Sequence, residues 1–559
     1  MNRRQLLHTM LPALTAGSAA AVWAQSSASI RGFHGANDAF AQSMAIVNGS
    51  VWTMDDRLPR AQAVFVHDGR IAHVGSNKDV LALAGRAKRF DAGGRTVVPG
   101  FVDTHTHFET TCQYFDSLQV DLHVPPMRSL AQMFGALRAR VAQWPPGRWI
   151  IGRSAFFFES QIEDKRYPTR EELDAISVNH PIVVLAGLHV GILNTLAFKK
   201  LGLWDAADVR ALRWKDGRPR IGTDVARDAH GVPTGVVTEL YDLLPTSAFS
   251  HDERRHAVMH QAVPQFVSKG YTSILTMPFC SLDLVIDQEL QAESLLPLRL
   301  RAHHIVPLVT SLDSILDCGQ VAGQGNDLFR FGGIKLFVAG AGVDAHGHEV
   351  SDLKWTQAEL NDVVYRAQCA NLQVLMHEEG RRSFELAINA VENAQRLRPS
   401  GLRHRLEHYG ELESVEEMRR VKQAGMRVTL YVPGYRDPEY RPLYSTLIRE
   451  GLQPVAISDA TGTMQKFGPL LGIASIVAPA CEGGYAPPGE APGLEDAFRM
   501  WTTWAASAQF EEADKGSISV GKLGDFAVLN KDPRQLKGGA LFELMVDATI
   551  LGGRLVFER

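Results

Sequence analysis

Val97-Val98-Pro99-Gly100-Phe101-Val102-Asp103-Thr104-His105-Thr106-His107 is a short apolar run that ends on two histidines one residue apart. It reads as a strand. Side chains alternate faces along a strand, so His105 and His107 point to the same side, ~7 Å apart along the chain. Two imidazoles converging at a strand end suit one divalent cation, because neutral imidazole is the commonest metal ligand. The pair alone decides little, since 20 histidines are present and some fall at this spacing by chance. The deciding question is whether later strands supply further ligands in order.

Seven more apolar runs bounded by polar turns follow it: Ser273–Met277, Leu298–Ile305, Gly333–Val338, Val374–His377, Leu402–His408, Val428–Val432 and Val455–Asp459. Amphipathic stretches lie between them, for example Leu353–Ala370, Ser383–Arg396 and Glu411–Ala424. Eight strands alternating with helices predict an α/β chain built on a (β/α)8 TIM-type barrel over residues 98–514. The long gap between the first two strands predicts an insertion at about 120–250. Residues 43–97 read instead as short strands, Ser43–Val47, Ala63–Val66 and Arg70–Val74, with Asn48-Gly49 and Asp68-Gly69 as hairpin turns. Residues 515–559 have the same texture, with Gly524–Leu529, Asp547–Val556 and the turn Gly552-Gly553. Both ends together predict one composite β-sandwich.

In such barrels the chemistry sits at the C-terminal strand ends. Reading those ends in order gives His105 and His107, then Lys335 inside the fourth run, His377, His408 and Asp459. Each has an ordinary alternative. Lys335 could snorkel from an edge strand, His377 and His408 could be hydrogen-bonded core histidines, and Asp459 could cap the next helix. Six polar residues in register at one end of the barrel fit a single site better than six accidents. Among lesser signals, Gly340-x-Gly342 reads as a plain turn rather than a phosphate loop, and His346 and His348 as a solvated loop. Phe156-Phe157-Phe158 reads as core rather than as a pocket wall.

An apolar content of 45 % with 21 % charged residues is that of a water-soluble globular protein. The net charge of −4 offers no basic footprint for nucleic acid. Five scattered cysteines exclude a Cys-based zinc site and argue against a disulfide framework. Asn2-Arg3-Arg4-Gln5-Leu6-Leu7 and the modestly apolar stretch Met10–Val22 read as a twin-arginine signal peptide over residues 1–24, followed by an expected flexible lead-in at 25–42. The stretch is too short to span a bilayer, so no stable membrane insertion is expected. The expectation is export through the twin-arginine machinery to a bacterial periplasm.

The order His-x-His, Lys, His, His, Asp resembles that of the amidohydrolase superfamily. Pro99–His107 is similar to its opening signature, and Lys515-Gly516-Ser517 through Leu529 to its closing one. Arg166–Asp174, Gly231–Glu239 and Leu406-Glu407-His408 resemble one branch, the amidohydrolase-3 group of N-substituted formamide deformylases and D-aminoacylase-like enzymes. The resemblance implies that His105, His107, Lys335, His377, His408 and Asp459 hold one or two divalent ions, zinc first among them. Lys335 would bridge a pair if carboxylated. Asp459 would be the catalytic acid–base, and His189 in the insertion a substrate contact. The implied reaction is hydrolysis of a C–N bond in a small molecule, an amide, N-formyl or N-acyl group, with homo-oligomer formation left open.

The neighbours of the ligand positions depart from that branch. Ala339-Gly340-Ala341-Gly342-Val343-Asp344-Ala345 stands where Asp-Gly-Ser-x-Gly-Ser-Arg is usual, Glu378-Glu379-Gly380-Arg381 where Gly-Asp-Arg follows the histidine, and Ala186–Val190 where Asp-Gly-His-Ala is usual. Two rival readings stay open. One is a mononuclear aminohydrolase deaminating a heterocycle, which would place Glu where Gly380 stands. The other is a catalytically silent binding protein on the same fold.

Overall fold

Eight strands run parallel in one sheet: β1 (Phe101–Thr106), β2 (Tyr271–Thr276), β3 (Arg299–Val306), β4 (Phe329–Phe337), β5 (Gln373–His377), β6 (Arg405–Glu407), β7 (Arg427–Tyr431) and β8 (Val455–Ile457). The computed structural model describes residues 40–559 except 156–157, 188, 241, 344–348, 409–411, 413, 433–441 and 461–465. The expected signal peptide, most of the lead-in, Phe156, Phe157, His346 and His348 lie outside the described residues. The sheet closes on itself after β8. Asp459 N–H donates to the His105 carbonyl (3.0 Å) and His107 N–H to the Ala460 carbonyl (2.9 Å). This is the (β/α)8 barrel that the strand count predicts.

The strands were readable because each is buried on both faces, so that every residue of β1, β2 and β3 lies inside. The helices between them are amphipathic and well capped. Arg381–Leu397 turns Phe384, Ala387, Ile388, Val391 and Ala394 inward at helical spacing. Gln357–Cys369 and Val415–Gln423 each begin at a capping box, Thr356 with Glu359 and Ser414 with Glu417.

The sandwich is built from both chain ends, as expected. One sheet holds Arg70–Gly75, Ala63–His67, Met44–Val47 and Lys88–Asp91; the other holds Arg554–Glu558, Val546–Leu551, Phe526–Leu529, Thr96–Pro99, Ser50–Trp52 and Arg60–Ala61. Ile46, Val64, Val66, Val97, Phe526, Val528 and Ile550 share the core between them.

The opening run is two strands, not one. Thr96–Pro99 pairs with Phe526–Leu529 in the sandwich, and β1 starts only at Phe101. Gly100 makes the step between sheets, where a Cβ would lie 2.2 Å from Thr272 Oγ1. Asp68-Gly69, with φ of 45° and 81°, does join an antiparallel pair. Asn48-Gly49 does not: it carries the chain from Met44–Val47 in one sheet to Ser50–Trp52 in the other. Gly340-x-Gly342 is no plain turn, because Ala339–Val343 pairs antiparallel with Glu349–Leu353. That hairpin takes Leu353 out of the expected helix, which starts at Gln357 after the Thr356 cap.

Between β1 and β2 stands a separate six-stranded mixed sheet, in the order Val225–Arg227, Pro233–Thr238, Val190–Leu193, Ile182–Ala186, Ile150–Ser154, Val120–Asp121. Phe158 belongs to the apolar core on this sheet and packs edge-on to Tyr167 at 5.3 Å, as ordinary core. All five cysteines are free. Among the described residues no helix is long and apolar enough to cross a membrane.

Candidate metal centre

β1 delivers the first two candidate ligands because His105 and Thr106 end the strand and His107 opens the helix Phe108–Phe115 as its N-cap. Both imidazoles are buried, with ring centres 5.9 Å apart. His408 follows β6 with its ring 4.6 Å from His105 and 4.8 Å from His377, which ends β5. Asp459 follows β8. His408 (φ 70°) and Asp459 (φ 46°) both take left-handed backbone without being glycine. Such strain costs roughly 1–3 kcal/mol each and collects at functional sites.

His105, His408 and Asp459 each present one ligand atom within 4.8 Å of the others. Asp459 Oδ1 lies 3.5 Å from His105 Nε2 and 3.7 Å from His107 Nε2. Those separations are too long for good hydrogen bonds. They are close to the ~3.4 Å between two donors on one tetrahedral ion with ~2.1 Å bonds. His105 Nε2, His377 Nε2, Asp459 Oδ1 and Lys335 Nζ are buried and have no hydrogen-bond partner among the described residues. Burying four such atoms together is costly unless something polar joins them, so this donor set fits a divalent cation.

Electrostatics agrees. Burial, reinforced by the Lys335 charge, holds His105 well below its usual range. Burial takes His107 down to about 3 and holds His377 and His408 well below the ordinary value. All four are therefore neutral near pH 7, the form that binds metal. Burial lifts Asp459 to about 7 against the pull of Lys335. Lys335 sits in the middle of the sheet, so it does not snorkel from an edge. Burial lowers it to about 8, opposed by Glu407, Asp459 and Glu378.

Several partners orient these side chains. His105 Nδ1 lies 2.5 Å from Glu407 Oε2, and Arg405 donates to both oxygens of that carboxylate at 2.7 and 2.8 Å. His107 Nδ1 lies 2.7 Å from the Met277 carbonyl, which makes Nδ1 the donor and leaves Nε2 for the site. Its ring stacks on Phe279 at 4.5 Å. His189 reaches the mouth from the insertion, 5.3 Å from the His377 ring, with Nδ1 2.8 Å from Glu239 Oε1. The structure thus gathers the predicted residues at one barrel end, with His107, His377 and Lys335 around the His105–His408–Asp459 group.

Sequence reasoning missed the supporting residues. Glu407 and Arg405 share one face of a strand, and a buried charged pair at i, i+2 was the available signal. Glu239 and the Met277 carbonyl leave no such signal. Arg153, on the strand Ile150–Ser154, is buried and donates Nε to Gln119 Oε1 at 2.5 Å, while its Nη1 has no partner among the described residues. Its charge acts on His107, and burial lowers its own pKa to about 10.

The model of the "Amidohydrolase family" matches residues 88–557. The chain belongs to the amidohydrolase family. One relative of this amidohydrolase is the N-substituted formamide deformylase of Arthrobacter pascens, 26 % identical over 553 residues, covering 93 % of this chain and 99 % of the relative. Among solved structures, an uncharacterized metal-dependent hydrolase from Pyrococcus horikoshii shares the fold at a TM-score of 0.66 and 19 % identity, over 89 % of this chain and 99 % of that one. Atrazine chlorohydrolase TrzN from Arthrobacter aurescens, solved with zinc, shares it at 0.54 and 11 % identity, over 92 % and 95 %.

Proposed function

We propose that this amidohydrolase binds one or two divalent ions, zinc first among them, at the barrel mouth and hydrolyses a C–N bond in an amide, N-formyl or N-acyl group of a small molecule. The observation that carries this reading is the group of buried His105 with half-buried His408 and Asp459, in which the facing atoms of His105 and Asp459 are too far apart for a good hydrogen bond. Similarity to an N-substituted formamide deformylase supports the bond class. We extend the reading to export of the chain by the twin-arginine route to a periplasm, on the strength of Arg3-Arg4 and the apolar stretch behind them.

A divalent ion held by these residues supplies Lewis acidity, which acidifies water and polarises the scissile carbonyl. The Asp459 carboxylate accepts a proton from the attacking water and hands it to the departing nitrogen. The new C–O bond forms at the expense of the carbonyl π bond, and the C–N bond breaks as that π bond re-forms, leaving a carboxylic acid and an amine. His107, tied to Met277, and His105, tied to Glu407, keep Nε2 aimed into the site. The Lys335 amine is buried with its pKa lowered to about 8, which favours the neutral form that adds CO2; the product would be an anionic oxygen donor able to bridge two ions. His189, steadied by Glu239, contacts substrate from the insertion side.

Metal analysis of the purified chain, with a screen of N-formyl amines, N-acyl amino compounds, lactams and esters, tests the reading. Two tightly held equivalents fit a bridged pair and one fits a mononuclear centre. A chain that holds no metal and hydrolyses none of these after loading would sink it.

A further inference from the structure

We infer that Asp116, His256 and His260 form a second transition-metal site on the surface, separate from the barrel mouth. His256 and His260 lie at i and i+4 of the helix His251–Gln265, so they share one face. Their ring centres are 3.7 Å apart. Asp116 comes from a different element, as the C-cap of the helix Phe108–Phe115. Its Oδ2 lies 2.9 Å from His256 Nδ1, and its Oδ1 accepts from Gln261 Nε2 at 3.1 Å. One ligand atom from each of the three residues lies within 4.8 Å of the other two.

The competing explanation is an ordinary exposed Asp–His hydrogen bond. It accounts for Asp116 and His256. It does not account for His260, which makes no hydrogen bond among the described residues and yet packs its ring against His256. A cation bound by both imidazoles and the carboxylate explains all three placements. Two imidazoles and one carboxylate select zinc, nickel or copper over magnesium or calcium, which prefer oxygen donors. Both histidines are exposed, so water completes the coordination and the ion exchanges freely.

The location gives the site a consequence. The helix Phe108–Phe115 has His107 as its N-cap and Asp116 as its C-cap. A metal bridging Asp116 to the neighbouring helix would clip down the far end of the one helix that starts on a barrel-mouth histidine. The clip tightens the packing of two helices and needs no change at the mouth.

The test titrates Zn2+ and, separately, Cu2+ into the untagged full chain after its tightly held ions are in place. One additional, weaker equivalent is expected, with a rise in melting temperature. His260→Ala and His256→Ala should each weaken that equivalent at least tenfold and abolish the rise. Both should leave the tight metal content and basal hydrolysis unchanged. Asp116→Asn should weaken it less. No additional equivalent, or one that survives in the His256→Ala/His260→Ala double variant, overturns the site. The barrel-mouth proposal is read from the tightly held ions alone, so either can fail without the other.

Discussion

Glu407 holds Nδ1 of His105 at 2.5 Å while itself gripped by Nε and Nη2 of Arg405 and by Thr429 Oγ1 at 3.1 Å. A carboxylate behind a metal-binding imidazole fixes its tautomer and makes the ring a stronger donor. Replacement of Glu407 by Gln keeps the volume and removes the charge. We expect metal affinity to fall about 10–100-fold, read by competition with a chelator. The unpaired Arg405 should also cost about 3 kcal/mol of stability. Adding Arg405→Met should restore most of the stability but not the affinity.

Asp459→Asn removes the group proposed to carry the proton to the leaving nitrogen. A loss in kcat of about 10²–10⁴ is expected on whichever amide proves to be a substrate. An unimpaired variant would show that Asp459 carries no proton in the reaction.

Arg153 is a buried guanidinium whose only described hydrogen bond goes to a neutral amide. A buried cation without a carboxylate is costly, and a substrate anion would relieve that cost. Arg153→Met is expected to raise KM for acidic N-acyl substrates at least tenfold while changing KM for neutral amides about twofold or less. Equal effects on both classes would reduce Arg153 to a packing role.

Glu511 is buried among Lys515 Nζ (3.0 Å), Arg301 Nη1 (3.5 Å) and Arg330 Nη1 (3.5 Å). Burial pushes its pKa up, but the three cations outweigh burial and hold it below the usual range. A depressed carboxylate stabilises the fold above its unfolded pKa of ~4.3, and that contribution is lost as pH falls through the folded value. Urea midpoints should therefore drop below about pH 4.5 in the native chain. Glu511→Gln should cost about 3–5 kcal/mol at pH 7 and flatten that acid limb.

Lys269 places Nζ 3.5 Å from the centre of the Phe467 ring, and burial lowers its pKa to about 7. Its charged form thus favours the unfolded chain, so its stability penalty shrinks as pH rises from ~7 through ~10.4. Lys269→Met should stabilise by about 1–3 kcal/mol at pH 6 after loss of the cation–π contact, with the gain fading toward pH 10. Melting curves at both pH values check the sign.

The barrel strands were legible because doubly covered strands are unbroken apolar runs, and the helices because their caps and buried faces are local. The candidate site was legible because its residues are polar and stand at strand ends in a fixed order. What stayed hidden depends on distant partners. Nothing near Gly100 reveals that Thr272 fills the space a side chain would need. The alternation of Ala and Gly at 339–342 has no side-chain pattern to mark a strand. Glu407 acquires its role from His105, 302 residues away.

The closure of β8 onto β1 also orders events in time. His105 is made early and Asp459 late, and Asp459 N–H reaches the His105 carbonyl only once both strands exist. The partner strand of Thr96–Pro99, Phe526–Leu529, is made later still. A nascent chain therefore cannot assemble the His105–His408–Asp459 group before its last barrel strand has left the ribosome, and any uptake of metal by that group waits at least until then.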